Sequence, residues 1–169
     1  MILDKKQMSE EDIKLQFITP AIVSKWTLDR ITTETKVTDG QINLRGNFVV
    51  RSPPKRADYV LYISQDKALQ TKPIAIVEAK DNKHSVSYGL QQAITYARMM
   101  DVPFAYSSNG DAFQEHDLLT GLERTLPLDA FPTVEELSTR WEREANGGKG
   151  ISPDEKKIIA ASYYSSQNT

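Results

Sequence analysis

Two stretches decide the fold: RADYVLYI at residues 56–63 and PIAIVEAK at residues 73–80. Both are unbroken strand-prone runs, rich in Val, Ile and Tyr. The second is almost wholly apolar, as a strand covered on both faces must be. The pattern predicts strands over 57–63 and 73–79. Each carries charge at one end only. Asp58 opens the first, and Glu78 and Lys80 close the second. Successive strand residues face opposite sides, so Glu78 and Lys80 share a face. Ala79 points the other way and leaves its carbonyl near the edge.

Working outward, residues 9–25 predict a helix. Ser9 is a plausible N-cap, with Asp12 three positions on. Ile13, Phe17 and Ala21 recur every four residues, and Ile18 and Ile22 widen the stripe. Pro20 is expected to kink or end the helix. Residues 30–37 and 42–50 predict strands joined by a turn at Asp39-Gly40. Residues 86–100 return to helical spacing through Leu90, Ala93, Ile94 and Ala97. Residues 102–107 and 111–116 bracket Asn109-Gly110, a strong hairpin signal. After Pro132 the pattern is again helical and charged, and Asn146–Gly150 reads as a flexible linker. The order implies an α/β domain around one mixed β-sheet flanked by helices. Residues 1–145 are expected to form that domain. Residues 146–169 read as a linker and the start of a further part.

Composition narrows the function. Of 169 residues, 39% are hydrophobic and 26% charged, which suits a chain with a buried core. Cysteine is absent, which removes disulfides, thiol nucleophiles and Cys-rich zinc sites. His84 and His116 lie far apart, so a His-based zinc site is not expected. No apolar run approaches ~18 residues. The charged start MILDKKQMSEED lacks a secretory h-region. A cytoplasmic setting is therefore expected. Net charge is −2 and the pI about 5.7, unlike a dedicated DNA-binding domain. Yet Gln41–Ala57 holds four cations, Arg45, Arg51, Lys55 and Arg56, and no acid. Such a stretch either contacts phosphates or is a solvated loop. Gly147-Gly148-Lys149-Gly150 lacks both the early glycine and the Ser/Thr of a phosphate loop, so no ATP site is expected there. Trp26 and Trp141 read as packing residues, and His84 as a loop histidine near Lys80 and Lys83.

The chemistry rests on Asp58, Glu78 and Lys80. A Glu–Lys pair ending a strand also occurs as a simple solvent-facing ion pair. Asp58 on the preceding strand changes the reading. Two carboxylates and the Ala79 carbonyl are hard oxygen donors that suit Mg²⁺ with several retained waters. A lysine beside such an ion orients or deprotonates water, or neutralises charge in a phosphoryl transition state. That is the machinery of phosphodiester hydrolysis.

Asp58, nineteen residues, then Glu78-Ala79-Lys80 resembles the PD-(D/E)xK nuclease core, with Ala57 in place of the usual proline. SEEDIKLQFITPAI at 9–22, RADYVLYI at 56–63, PIAIVEAK at 73–80, GLQQAITYA at 89–97 and YSSNGDAF at 106–113 follow in that order. Together they resemble the N-terminal domain of the restriction (R) subunit of type I restriction–modification enzymes, over roughly residues 9–145. The resemblance implies a restriction-endonuclease-like fold and a Mg²⁺-dependent endonuclease acting on double-stranded DNA without its own sequence specificity. Asp58, Glu78 and Ala79 would hold the metal and Lys80 would act on water. The family's Gln-x-x-x-Tyr motif falls on Gln92 and Tyr96, with Gln91 as a near miss. Both are expected off the centre of the apolar stripe, free to reach the site or the DNA backbone. A first-helix glutamate near the metal falls on Glu10, with Glu11 the competing register. By resemblance the full subunit carries an ATP-driven translocase and joins methylase and specificity subunits. ATP and S-adenosylmethionine would serve those parts. The competing class is a catalytically silent docking or nucleic-acid-binding module.

Overall fold

Among the described residues six strands form one sheet whose spatial order is the chain order: β1 (Ile31–Lys36), β2 (Arg56–Tyr62), β3 (Pro73–Ala79), β4 (Phe104–Ser108), β5 (Ala112–Asp117) and β6 (Glu123–Pro127). The structure, a computed structural model, describes residues 4–38, 55–64 and 72–145. The predicted strand at 42–50, the linker and the final segment lie outside the described residues. Neighbouring strands are antiparallel except β3 and β4, which run parallel. A parallel step needs a crossover. Helix α3 (Leu90–Met100) supplies it. The mixed α/β sheet expected from the sequence is the observed architecture.

Two apolar layers sandwich the sheet. On one side α1 (Glu10–Ile13), α2 (Thr19–Val23), the turn that joins them and α4 (Val134–Ala145) bring Ile13, Ile18, Ile22 and Leu137 against Tyr59, Leu61, Val77, Phe104 and Tyr106. On the other, α3 lays Leu90, Ala93, Ile94 and Ala97 on Val60, Ile76 and Ala105. β3 is buried on both faces, which explains its nearly unbroken apolar sequence. Trp26 and Trp141 pack against the first layer, as expected.

The first helix differs from an ideal one. Ser9 caps it, its hydroxyl accepting from the Asp12 N–H at 3.1 Å. Lys14–Ile18 then widens into a π-helical turn in which the Thr19 N–H bonds to the Lys14 carbonyl. Pro20 has no N–H to offer a regular α-turn, so the expected break takes the form of this wide turn rather than an end. The β4–β5 hairpin turns at Gly110, with φ +90°. A Cβ there would stand 2.9 Å from Ile13, so the turn also sets the hairpin against α1.

Candidate active site

The register that aligns Tyr59 with Val77 brings Asp58 beside Glu78. The Asp58 N–H donates to Glu78 Oε2 at 3.1 Å, and the Ala79 N–H donates to Asp58 Oδ2 at 2.8 Å. Glu78 is 2% exposed. Its Oε1 is buried with no hydrogen-bond partner among the described residues. Burial, reinforced by Asp58, pushes the Glu78 carboxyl up to about 9. Burial would raise Asp58 as well, but hydrogen bonds from Glu78 and the Ala79 N–H, with Lys14 nearby, hold it below the usual carboxylate range. At neutral pH the pair therefore keeps one proton, shared between two carboxyls of which Glu78 is the more deeply buried.

The first helix supplies a third acid. Burial raises the Glu10 carboxyl, and Asp58 raises it further, while Lys80 and Lys14 act against this. Glu10 thus feels the groups of the site directly. Glu11 is exposed and turned to Lys14 Nζ, at 3.2 Å.

Lys14 is a site residue that sequence reasoning did not single out. Its ammonium lies 3.3 Å from Asp58 Oδ1, 3.2 Å from Glu11 Oε1 and 3.2 Å from Glu34 Oε1. The available signal was a lysine four residues after Glu10 on a helix with an apolar stripe. Glu34 reaches it by an irregular backbone, with φ +50° inside β1. The β1–β2 ladder omits the Glu34–Asp58 level, and the Glu34 carbonyl instead accepts from Arg56 Nη1 at 3.1 Å.

Lys80 follows β3 on the α3 side. Its Nζ donates to Gln92 Oε1 at 3.3 Å, and Gln92 Nε2 donates to the Tyr96 hydroxyl at 2.7 Å. Gln92 and Tyr96 do lie together, but Tyr96 is not free to reach outward. Its ring is buried in the α3 layer and only its hydroxyl meets Gln92. A tyrosine beside an apolar stripe lays its ring along that surface, which the spacing argument underrated. The Lys80 stem packs where a Gly89 side chain would stand, 3.3 Å from its virtual Cβ. His84 stacks on exposed Tyr88, with ring centroids 4.0 Å apart. Of the expected phosphate contacts, Arg45 and Arg51 lie outside the described residues, while Lys55 and Arg56 are exposed.

The donor set fits a small hard cation. Asp58 and Glu78 lie side by side, Glu10 is near enough to feel the charges of Asp58, Lys80 and Lys14, and Glu78 holds an orphaned oxygen. Among the described residues no three acidic or histidine side chains gather closely enough to enclose an ion alone. An ion here would keep several waters, which is how Mg²⁺ is usually held.

Comparison with known proteins places the chain. Residues 20–132 match the family described as the type I restriction enzyme R protein N terminus. The Escherichia coli type I restriction enzyme EcoAI endonuclease subunit is 36% identical over 168 residues, covering 96% of this chain and 20% of that protein. A solved fragment structure described as an HsdR subunit of a type I restriction enzyme from Vibrio vulnificus is also 36% identical. It superposes with a TM-score of 0.67, covering 86% of this chain and 27% of the other. The chain thus spans about a fifth of the curated relative. No described helix is long and apolar enough to cross a membrane.

Proposed function

The chain belongs to the type I restriction enzyme R protein N-terminal family, and from that premise we propose that it is the DNA-cutting part of such a subunit, a Mg²⁺-dependent endonuclease of the PD-(D/E)xK kind. The observation that carries this reading is the pairing of half-buried Asp58 with buried Glu78 and its orphaned oxygen, two positions before Lys80. Asp58, Glu78 and the Ala79 carbonyl would hold the ion, with Glu10 beside them. Bound there, Mg²⁺ would polarise the scissile phosphate and make its water a better nucleophile.

The chain's own groups do the rest. Glu78 and Asp58 would both have to be ionised to serve as ligands, so holding the ion there would release the proton that the pair keeps. Lys80 presents an ammonium to the attacking water and to the charge that builds on the phosphate. Gln92 holds that ammonium in place and Tyr96 fixes Gln92, which makes both positioning residues. Exposed Lys55 and Arg56 are suited to phosphate contact, without sequence readout. Double-stranded DNA would arrive through a translocase part driven by ATP and through methylase and specificity subunits using S-adenosylmethionine.

Substitution of Lys80 within the complete restriction enzyme tests the reading. Lys80→Ala should leave ATP hydrolysis and translocation intact and abolish cleavage of circular DNA carrying the recognition site. Unchanged cleavage would make this part a silent docking or nucleic-acid-binding module. Loss of translocation together with cleavage would assign Lys80 a structural role.

A further inference from the structure

Lys14 has a richer environment than the proposed chemistry requires. We propose that its ammonium is an internal stand-in for the divalent cation, resting on Asp58 Oδ1 when the ion is absent and withdrawing to Glu11 and Glu34 when the ion arrives. The inference rests on the metal-dependent reading above and adds a residue and a motion to it.

Three observations support it. First, the two Asp58 oxygens have different partners. Oδ2 accepts from the Ala79 N–H at 2.8 Å, so Oδ1, held by Lys14 at 3.3 Å, is the oxygen open to exchange between cations. Second, the Lys14 side chain is only 11% exposed, and an ammonium out of water needs partners. Glu11 and Glu34, each at 3.2 Å, remain its partners if Asp58 is given up, and both are exposed enough to follow it. Third, the backbone is irregular at the reserve partner. Glu34 sits at positive φ where the β1–β2 ladder lapses. Such departures persist only where the surroundings hold them, and they cluster at functional sites. A purely structural ion pair would need neither that strain nor two reserve carboxylates.

The test is Mn²⁺ binding to the 169-residue chain, measured by calorimetry for wild type, Asp58→Asn, Lys14→Gln, Glu34→Gln and Lys36→Gln. Removing a competing charge a few ångströms away should tighten Mn²⁺ binding about tenfold in Lys14→Gln. Glu34→Gln should weaken it by about threefold, because the ammonium loses a place to retreat. Lys36→Gln, the control for general field effects on the same strand, should stay within about twofold. Unchanged or weaker binding by Lys14→Gln, beside Asp58-dependent binding in wild type, overturns the stand-in and leaves the nuclease reading untouched. Absence of Asp58-dependent binding in wild type sinks both. Should Lys14→Gln not fold, lysine-selective NMR of the wild type gives the answer. The Lys14 ammonium signal should move on Mg²⁺ addition, and not in Asp58→Asn. A signal that stays fixed at saturating Mg²⁺ overturns the proposal.

Discussion

Glu78 and Glu115 are both acids buried in the same sheet, 2% and 1% exposed, yet their surroundings are opposite. Glu115 is saturated. It accepts from the Tyr106 hydroxyl at 2.6 Å, from both terminal nitrogens of Arg140 at 3.0 Å, and from Arg124 Nε at 2.8 Å. Arg140 also holds Asp117 at 3.0 Å and lies over the Phe104 ring. Burial would raise Glu115, but the two arginines and Tyr106 hold it below the ordinary value. The cluster ties α4 and β6 to the middle of the sheet. Glu78 has one backbone N–H, an orphaned oxygen and a second acid at its side. A buried acid supplied with cations fastens the fold, whereas one left short of them is arranged for something that arrives later.

Substitution by the neutral amide should separate the two most sharply. Glu115→Gln removes the carboxylate shared by Arg140 and Arg124; Arg140 keeps Asp117 and exposed Arg124 keeps Glu136 and water, so the cost should fall near the low end for breaking a buried pair, about 3 kcal/mol. Glu78→Gln removes no matched charge and should stabilise the metal-free chain at pH 8. Urea unfolding of both variants reads the difference. Equal destabilisation by the two would erase the distinction.

The pH dependence sharpens the contrast in sign. The Glu78 carboxyl titrates near 9 in the fold and near 4.3 in an unfolded chain. The folded state therefore holds the extra proton between those values, and metal-free stability should fall as pH rises from about 5 to 9. Glu115 is lowered, so its contribution is present above the unfolded value and is lost as pH falls through the folded one. Urea midpoints without metal should thus decline on the alkaline side in wild type and flatten there in Glu78→Gln. The acid limb should survive in Glu78→Gln. An alkaline decline that persists in Glu78→Gln would place the extra proton elsewhere.

The sequence revealed the parts of this contrast that are local. β3 stands over residues 73–79 as its apolar run predicts, and the Ser9 cap and the Asn109-Gly110 hairpin follow from local chemistry. Asp58, Glu78 and Lys80 were legible because polar groups interrupt apolar strands. Lys14 was not, because Glu34 and Asp58 are 20 and 44 residues away from it. No helical period encodes a π-turn made necessary by Pro20. β6 went unseen for another reason. It is an edge strand with only Leu126 buried, so its sequence carries no alternation to detect. The Glu115 cluster draws on β4, β5, β6 and α4, and no local window contains it.

The smallest expected effect concerns Gly89, where catalytic geometry and stability should part. Its φ of −88° suits any residue, so its lack of a side chain has a packing cause. A Cβ there would meet Ser107 Oγ at 3.0 Å and two carbons of the Lys80 stem at 3.3 Å. Ser107 accepts from the Gly89 N–H at 3.0 Å and is fully buried, so it has little room to yield. Lys80 is only half-buried and ends on a 3.3 Å contact to Gln92, so it is the group that gives way. Gly89→Ala should cost about 1 kcal/mol of stability, at the low end for overpacking. In the assembled enzyme it should slow cleavage several-fold, since small displacements of a positioned group are costly. Glu115→Gln should show the reverse, a large stability loss with unaltered cleavage by the fraction that stays folded. If Gly89→Ala lowers the melting temperature and leaves cleavage at the wild-type rate, the Lys80 stem is not what positions its ammonium. The Gln92–Tyr96 tether would then carry that role alone.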